Sequence, residues 1–183
     1  MVACSFEHNT AEVERLASDL IELSTRHNFA YWLAAGEVHR GWAHSVAGAK
    51  AEAIARIADG IDNWRSTGSM LWLPYFLGLK AEALHLADRT TEALETIGEA
   101  EAVAERSEEL WWCGAIHRLK GVFLAALGAE GTQIEASFCE AIRTAKKQKS
   151  VSLAKRAEAT YGEYCLQKAS RSGIHGNCRQ ELG

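Results

Sequence analysis

Glu82 and His85 are the residues whose type and spacing come nearest to a metal-binding motif. A glutamate and a histidine three positions apart lie on the same side of a helix, where both can ligate one metal ion. Helical di-iron bundles need this motif twice, together with two further carboxylates, and the chain contains it once. We therefore predict no metal and assign Glu82 and His85 to the lining of a surface.

Other catalytic patterns are also lacking from the sequence. The phosphate-binding motif G-x-x-x-x-G-K-[ST] does not occur, and no Ser or Cys has a recognisable base partner, although the two can be distant in sequence. His39, His44 and His117 stand among apolar neighbours, which favours packing roles. We predict no catalytic residue, no cofactor and no enzymatic activity. An enzyme with an unrecognised site is the alternative, which a cluster of buried, strongly perturbed titratable groups would support.

Cysteine usage and hydropathy indicate the cytoplasm. None of the five cysteines belongs to a C-x-x-C pair: Cys4, Cys113, Cys139, Cys165 and Cys178. An odd number without a framework favours free thiols in a reducing compartment. The sequence has no basic segment followed by an apolar run at its start and no apolar stretch of about 18 residues. We therefore predict a cytoplasmic protein without a signal peptide and without a membrane partner.

The net charge of −4 conceals a strong asymmetry. Residues 1–142 hold 11 basic and 21 acidic side chains, whereas residues 143–183 hold 9 and 3. Neighbouring helices that neutralise each other would explain this distribution. A basic patch for nucleic acid or lipid at residues 143–156 is the alternative. Because the chain as a whole is acidic, we predict that it binds no nucleic acid.

A period of about 40 residues runs through the chain and indicates a helical repeat array. Small residues recur on both helices of each pair, at Gly41, Ala81 and Gly121 and at Gly60, Ala100 and Ala141. Glycine inside a helix costs about 1 kcal/mol relative to alanine, so its recurrence calls for a packing reason, and we expect paired backbones to cross closely there. Trp32, Trp72 and Trp112 follow the same period, and we expect them to wedge against the preceding return helix.

Apolar residues at three- and four-residue spacing predict eight helices. Their expected ranges are about 10–27, 29–46, 50–66, 70–86, 90–106, 108–127, 132–147 and 150–168. We expect Gly48 to supply a positive φ in the turn after the second helix, and Ser69 to cap the fourth helix. Thr132 and Glu135 fit a capping box, in which each side chain binds an end amide of the seventh helix. Pro74 suits the first turn of the fourth helix.

This pattern resembles the tetratricopeptide (TPR) repeat, in which a small residue and an aromatic or leucine mark the first helix and Ala, Phe and Ala mark the second. The matching positions are Gly41 with His44, Ala81 with Leu84, Gly121 with Leu124, then Ala53, Ile57 and Gly60, Ala93, Ile97 and Ala100, and, less well, Ile134, Phe138 and Ala141. The period exceeds the usual value of about 34, and the proline between repeats is lacking. The resemblance implies an all-α, TPR-like, right-handed α-α superhelix of about eight antiparallel helices over residues 1–168. Periodicity is lost beyond them, which predicts a disordered tail at 169–183.

Four segments resemble the C-terminal repeat region of large bacterial regulators that join a class III adenylate-cyclase-like domain and a P-loop ATPase to a helical tail. They are Phe29-Ala-Tyr-Trp-Leu-Ala, Arg40-Gly-Trp-Ala, Leu71-Trp-Leu-Pro-Tyr and His117-Arg-Leu-Lys-Gly. The resemblance implies protein–protein interaction or intramolecular regulation, with the upstream domains of a parent protein as candidate partners. A domain that senses a small-molecule effector in its concave groove is the alternative.

First helices line the concave surface of a solenoid. In the TPR register, the side chains expected there are Val38, Trp42, Tyr75, Glu82, His85, Arg118 and Val122. This aromatic and charged mixture suits a protein or peptide partner, since Trp, Tyr and Arg dominate interface energetics. The alternative places Trp42 and Tyr75 in the core between repeats.

Each end helix lacks the partner that a repeat would give it. The first helix carries the apolar stripe Val13, Leu16, Leu20 and Leu23, and the last helix carries Leu153, Tyr161, Tyr164 and Leu166. A helix covered on one side hides only part of such a stripe, and exposed apolar patches usually mark an interface. We therefore predict a homodimer closed through one of these ends, with the first helix as the candidate interface. In a full-length regulator the same helix would instead stack on upstream repeats, and this is the alternative.

Overall fold

Helices joined by short turns make up residues 9–172, the part of the chain that this computed structural model describes. The eight helices are α1 (Thr10–His27), α2 (Ala30–Val46), α3 (Lys50–Ser66), α4 (Leu73–Leu86), α5 (Thr90–Ser107), α6 (Cys113–Ala126), α7 (Gly131–Lys147) and α8 (Val151–Ser172). Within that range no strand occurs. The predicted all-α class and the predicted number of helices are confirmed.

The chain divides into two compact units, with the boundary between Leu110 and Trp111. In the first unit, α2 packs against α1, α3 and α4, and α4 packs against α3 and α5. In the second unit, α6 packs against α7 and α8, and these two pack against each other. Contacts within each unit therefore join helices that are one or two positions apart in the chain, as in a repeat array.

Small residues allow the paired helices to cross closely. A Cβ atom added to Gly41 would lie 2.6 Å from Cγ1 of Ile57 and 3.0 Å from the carbonyl oxygen of Ala53, which are both on α3. In the second unit, a Cβ atom at Gly121 would lie 2.9 Å from Cε1 of Phe138 on α7. The packing reason inferred for these small residues is confirmed.

Trp72 confirms the predicted wedge, whereas Trp32 does not. The indole of Trp72 stacks on that of Trp64 in the preceding return helix α3, with ring centroids 6.3 Å apart and planes 6° apart. Trp32 is exposed instead, and its ring meets the edge of Trp72 at 6.1 Å. The equivalent positions therefore differ in burial although they share the period.

Glycine positions predict only some of the turn residues that have a positive φ. Gly48 adopts a φ of 105°, as expected. Residues with side chains also adopt the left-handed conformation, with φ values from 56° to 62°: Asn28, Asp88, Glu108 and Lys149. Each of them follows the last turn of a helix, and the N–H of the next residue donates back to a carbonyl of that turn, as from Phe29 to Ser24 at 2.9 Å, so the helix end itself stabilises the conformation.

The start of α4 lies three residues later than expected, at Leu73. Trp72 adopts a φ of 64°, and its backbone N–H donates to both carboxylate oxygens of Glu109 at 2.8 Å. Trp72 rather than Ser69 is therefore the N-cap residue, and the predicted Ser69 cap is wrong. Pro74 lies in the first turn, as predicted, where its missing N–H leaves no gap in the helix.

The predicted capping box in α7 is also wrong. The helix begins at Gly131, with Glu130 as an N-cap residue that makes no side-chain cap bond. Thr132 thus lies within the first turn, where it cannot act as an N-cap. Glu135 instead accepts a hydrogen bond from Nζ of Lys168 on α8 at 2.6 Å, so this side chain joins two helices.

The remaining differences concern helix ends in the second unit. α6 begins at Cys113 rather than near residue 108, and α8 continues to Ser172 rather than ending at residue 168. The predicted boundary of the repeat domain therefore falls inside a helix. Residues 173–183 of the predicted tail lie outside the described residues.

Candidate binding groove

Three of the side chains predicted for the concave surface are core residues instead. Val38 and Tyr75 are 0% exposed and Trp42 is 1% exposed. Val38 packs on α3, because its Cγ2 atom lies 2.8 Å from the position that a Cβ atom of Gly60 would occupy. The indole Nε1 of Trp42 donates to Oε2 of Glu82 at 2.9 Å, which links α2 to α4. The prediction that these three side chains line a binding surface is wrong, and the core alternative for Trp42 and Tyr75 holds.

His39 explains how Tyr75 is held in the core. The carbonyl oxygen of Ala35 lies 2.7 Å from Nδ1 of the imidazole, and the hydroxyl oxygen of Tyr75 lies 3.1 Å from Nε2. Burial lowers the pKa of His39 to about 4, so the ring is neutral at pH 7. Nδ1–H donates to the carbonyl, and Nε2 then accepts from the tyrosine hydroxyl. The predicted packing role of His39 is confirmed.

Glu82 and His85 are half-buried and have partners within the fold. Glu82 accepts the bond from Trp42, and Nδ1 of His85 lies 3.0 Å from Oγ1 of Thr90 at the start of α5. Burial lowers the pKa of His85. Among residues 9–172, no group of three or more His, Cys, Asp or Glu side chains is placed to hold a metal ion.

The second unit contains the remaining two concave candidates, on α6. Arg118 is buried, whereas Val122 is half-buried and lines an open cavity of about 640 Å³ between α6 and α8. We call this cavity the α6–α8 groove. Of the residues predicted for the concave surface, Val122 lines the groove. The other residues that line it were not predicted.

The α6–α8 groove combines an apolar floor with a polar wall. The floor is formed by side chains of α6, α7 and the turn between them: Val122, Ala125, Ala126, Ala129, Ile134 and Phe138. The wall is formed by side chains of α8: Thr160, Glu163, Tyr164, Gln167 and Lys168. Three alanines leave the space open, since larger side chains there would fill it. The small residues Ala125, Ala126, Gly128 and Ala129, interrupted by Leu127, are the sequence signal that could have indicated the groove.

Aromatic stacking and an ion pair hold α8, which forms the wall of the groove, against α7, which forms part of its floor. The ring of Phe138 lies 5.8 Å from the ring of Tyr164 and stacks on Tyr161 at 5.5 Å. Burial raises the pKa of Tyr161, so its hydroxyl stays protonated across the physiological range. The Lys168–Glu135 ion pair joins the end of the wall to α7. Because α8 is held by these contacts, the groove is preformed.

Two further cavities, among the described residues of the first unit, are lined by paired charges. A cavity of about 610 Å³ lies between α2 and α3, where Arg56 Nη1 binds Glu37 Oε2 at 2.7 Å. A cavity of about 420 Å³ borders α5, where Arg89 is paired with Glu92. An apolar side chain entering either cavity would have to displace or desolvate these pairs. The α6–α8 groove, with its apolar floor, is the better candidate site.

The apolar stripes of the end helices are covered to different degrees. Val13 is buried against its own unit, so its assignment to an intermolecular interface is wrong. Leu16 and Leu20 are half-buried, and Leu23 is 49% exposed. On α8, Leu153 is buried, whereas Leu166 is 71% exposed.

None of the helices formed by residues 9–172 combines the length and apolarity needed to cross a membrane. No family model matches the chain. A protein of Rhizobium meliloti (strain 1021), named as an uncharacterized protein, is 23% identical over 162 residues, which are 88% of this chain and 16% of that protein. The chain therefore spans a small part of the curated relative it matches.

A solved structure is also similar. PlcR of Bacillus thuringiensis, crystallised in complex with the peptide PapR7 and DNA, matches with a TM-score of 0.66 and 16% sequence identity. The match covers 85% of this chain and 53% of the PlcR chain. At this level of identity the likeness bears on the fold alone. Together with the helix pairs and their period, it shows that the chain has an all-α, TPR-like helical-repeat fold.

Proposed function

We propose that this chain is a regulatory, peptide-binding helical-repeat module and that the α6–α8 groove is its binding site. The observation that carries the proposal is the preformed groove of about 640 Å³, apolar on its floor and polar on its α8 wall. The fold likeness supports it, because PlcR was crystallised with a peptide. The proposal narrows the predicted protein–protein interaction function to one surface.

The two sides of the groove suit the two sides of a peptide. Apolar side chains of the peptide pack on Val122 and on the alanines of α6, which keep exposed surface in the groove, and this removes apolar surface from water. Its polar atoms face Thr160, Glu163 and Gln167, which supply both donors and acceptors. A buried apolar anchor surrounded by a polar rim is the usual anatomy of a specific interface.

Peptide selection tests this assignment. Random linear peptides are selected on the immobilised wild-type chain, and enriched sequences are measured by fluorescence anisotropy. We expect binding that is lost in Ala126→Arg, which fills the groove, and retained in Ala159→Arg, because Ala159 is exposed on α8 outside the groove. Selection that enriches no sequence, or equal affinities for the two variants, would contradict the proposal.

A small-molecule effector is the second candidate occupant of the same groove. Its volume lies within the range of about 300–1,000 Å³ that small-molecule sites occupy, and its preformed walls require no closure. A thermal-shift screen of a metabolite library separates the two functions. A compound that stabilises wild type and Ala159→Arg but not Ala126→Arg favours the sensor.

The link to cyclase- and ATPase-type regulators stays a prediction, since neither similar protein is described as a cyclase or an ATPase. A pull-down with such domains as bait tests it. The absence of nucleic-acid binding likewise stays a prediction. Because PlcR was crystallised with DNA as well as a peptide, anisotropy with labelled duplex DNA belongs in the same experiment, with the basic residues 143–156 as the segment to mutate if binding occurs.

A further inference from the structure

The α6–α8 groove has an unpaired negative charge on its wall. Glu163 lines the groove from α8 and is exposed, and its carboxylate forms no ion pair or hydrogen bond within residues 9–172. The positions three and four residues away on the same helix, where an ion-pair partner would lie, hold no basic side chain: Ala159, Thr160, Leu166 and Gln167. The carboxylate is therefore available to a group that enters the groove.

Lys168 does not neutralise this charge. It is the basic side chain among the described residues that line the groove, and its Nζ atom binds Oε1 of Glu135 at 2.6 Å. The pair lies beside the start of α7, because a Cβ atom added to Gly131 would lie 3.4 Å from the same Nζ atom. Since this pair is neutral as a whole, Glu163 gives the groove a net negative charge.

Thr160 adds a second acceptor to the same wall. It precedes Glu163 by three residues, so both side chains lie on one face of α8. The Thr160 hydroxyl donates to the carbonyl oxygen of Arg156 at 2.9 Å. Because its single proton is used in that bond, its oxygen can only accept a hydrogen bond from a group in the groove. The two side chains together suit a cationic group with several donors.

We propose that the peptide bound by the α6–α8 groove is basic, with an arginine that pairs with Glu163 beside an apolar side chain that packs on Val122 and the alanines of α6. This inference rests on the proposed function and specifies the class of peptide. A guanidinium binds a carboxylate through two parallel N–H groups and keeps further donors for the Thr160 oxygen. Its apolar stem covers the surface of Ala126, which is exposed on the floor.

Parallel peptide selections test the charge preference. Random linear peptides are selected on immobilised wild type, Glu163→Gln and Glu163→Lys, and circular dichroism verifies that each variant is folded. We expect arginine to be enriched on wild type, not enriched on Glu163→Gln, and replaced by acidic residues on Glu163→Lys. Glu105→Gln is the matched control, because it removes the same charge from an exposed side chain of the first unit. It should enrich the same sequences as wild type.

A double-mutant cycle then tests the pairing itself. An enriched peptide is synthesised with its arginine and with citrulline, the uncharged isostere, and both forms are measured by fluorescence anisotropy. Citrulline should raise the Kd for wild type by about tenfold or more, because it removes a charge-assisted hydrogen-bond pair. Glu163→Gln should bind the two peptides with similar affinity, because the charge that pairs with the arginine is gone.

The outcomes separate this inference from the proposed function. Enriched peptides that lack arginine would overturn the inference, and so would a citrulline effect of equal size in wild type and Glu163→Gln. In both cases the groove still binds peptides, and the proposed function stands. Selection that enriches no sequence on wild type contradicts the proposed function, and this inference fails with it.

Discussion

The polar groups of two large aromatic side chains in the first unit are hydrogen-bonded in the core, so these side chains are not available to a binding partner. Trp42 and Tyr75 have the residue types that dominate interfaces, yet Glu82 and His39 bind their polar groups inside the protein. Each bond joins residues about 40 positions apart, on successive first helices. The period in the sequence placed Trp42 and Tyr75 on first helices. It did not show that a residue of another first helix binds the polar atom of each side chain, and these bonds place both side chains in the core instead of on the surface.

Stability should fall as pH drops because His39 is held neutral. Its folded pKa of about 4 lies below the ordinary value of 6.5, so between these values the unfolded chain takes up a proton that the folded protein does not. The contribution is fully present above the unfolded pKa and is lost progressively as pH falls through this window. We expect a loss of about 2 kcal/mol between pH 7 and pH 5 from this residue alone.

Urea unfolding at both pH values measures the effect. His39→Gln, which has no titrating group at this position, should show a shallower pH dependence than wild type even if it is less stable overall. Parallel curves for the two proteins would show that His39 titrates normally in the folded state.

The closest helix crossing should not tolerate even a methyl group. Gly41→Ala places its Cβ atom 2.6 Å from a side-chain atom of Ile57 and 3.0 Å from a backbone oxygen that cannot move alone. We expect a destabilisation of about 1–3 kcal/mol by overpacking. Gly98→Ala is the control, because Gly98 lies inside α5 with open space around it.

The control should gain about 0.5–1 kcal/mol from the higher helix propensity of alanine. Thermal melts of the two variants therefore shift in opposite directions. Shifts of the same sign and size would contradict the crossing geometry.

Helix boundaries were predictable where a local signal sets them and not where a distant residue does. α1 and α3 begin and end at the expected positions, because the apolar period and the turns beside it are local. α4 begins late because Glu109, which follows α5, binds the backbone N–H of Trp72. α7 begins before Thr132, so this residue lies inside the helix, and Glu135 is paired with Lys168 on another helix instead of with a cap residue. Long-range contacts of this kind leave no periodic trace in the sequence.

Removing the Glu109 carboxylate should loosen the start of α4. The Trp72 amide would lose an acceptor that carries a charge, for which we expect a cost of about 1–3 kcal/mol in Glu109→Ala. Hydrogen exchange should also become faster for peptides that cover residues 69–76. Glu105→Ala is the control, since Glu105 is an exposed side chain one turn earlier. Equal stabilities for the two variants would show that the bond contributes nothing.

At the scale of the whole chain, the repeat was predictable and the candidate site was not. The 40-residue period identified the helix pairs and their small crossing residues, which the structure confirms at Gly41 and Gly121. The α6–α8 groove arises where the last described helix packs on the preceding pair, and no repeat follows within the described chain. The groove does not recur with the 40-residue period, so the period could not predict it. This explains why only Val122 was assigned to it.

The division into two units should be measurable by local destabilisation. Gly121→Leu forces bulk against Phe138 and should weaken the second unit. We expect faster hydrogen exchange in peptides from residues 113–147 and little change in peptides from residues 30–66, because contacts in each unit join neighbouring helices. Uniformly faster exchange across both ranges would show that the chain unfolds as one cooperative body.

The packing of each helix on its neighbours in the chain also affects how the chain folds. Contacts between helices within each unit join segments one or two helices apart, so the loops that must close during folding are short and their entropic cost is small. No distant pairing has to form before a helix pair becomes stable. We therefore expect that folding can start at α2–α3, at α4–α5 or at α6–α7, as in other repeat arrays, and that it does not depend on one obligatory nucleus.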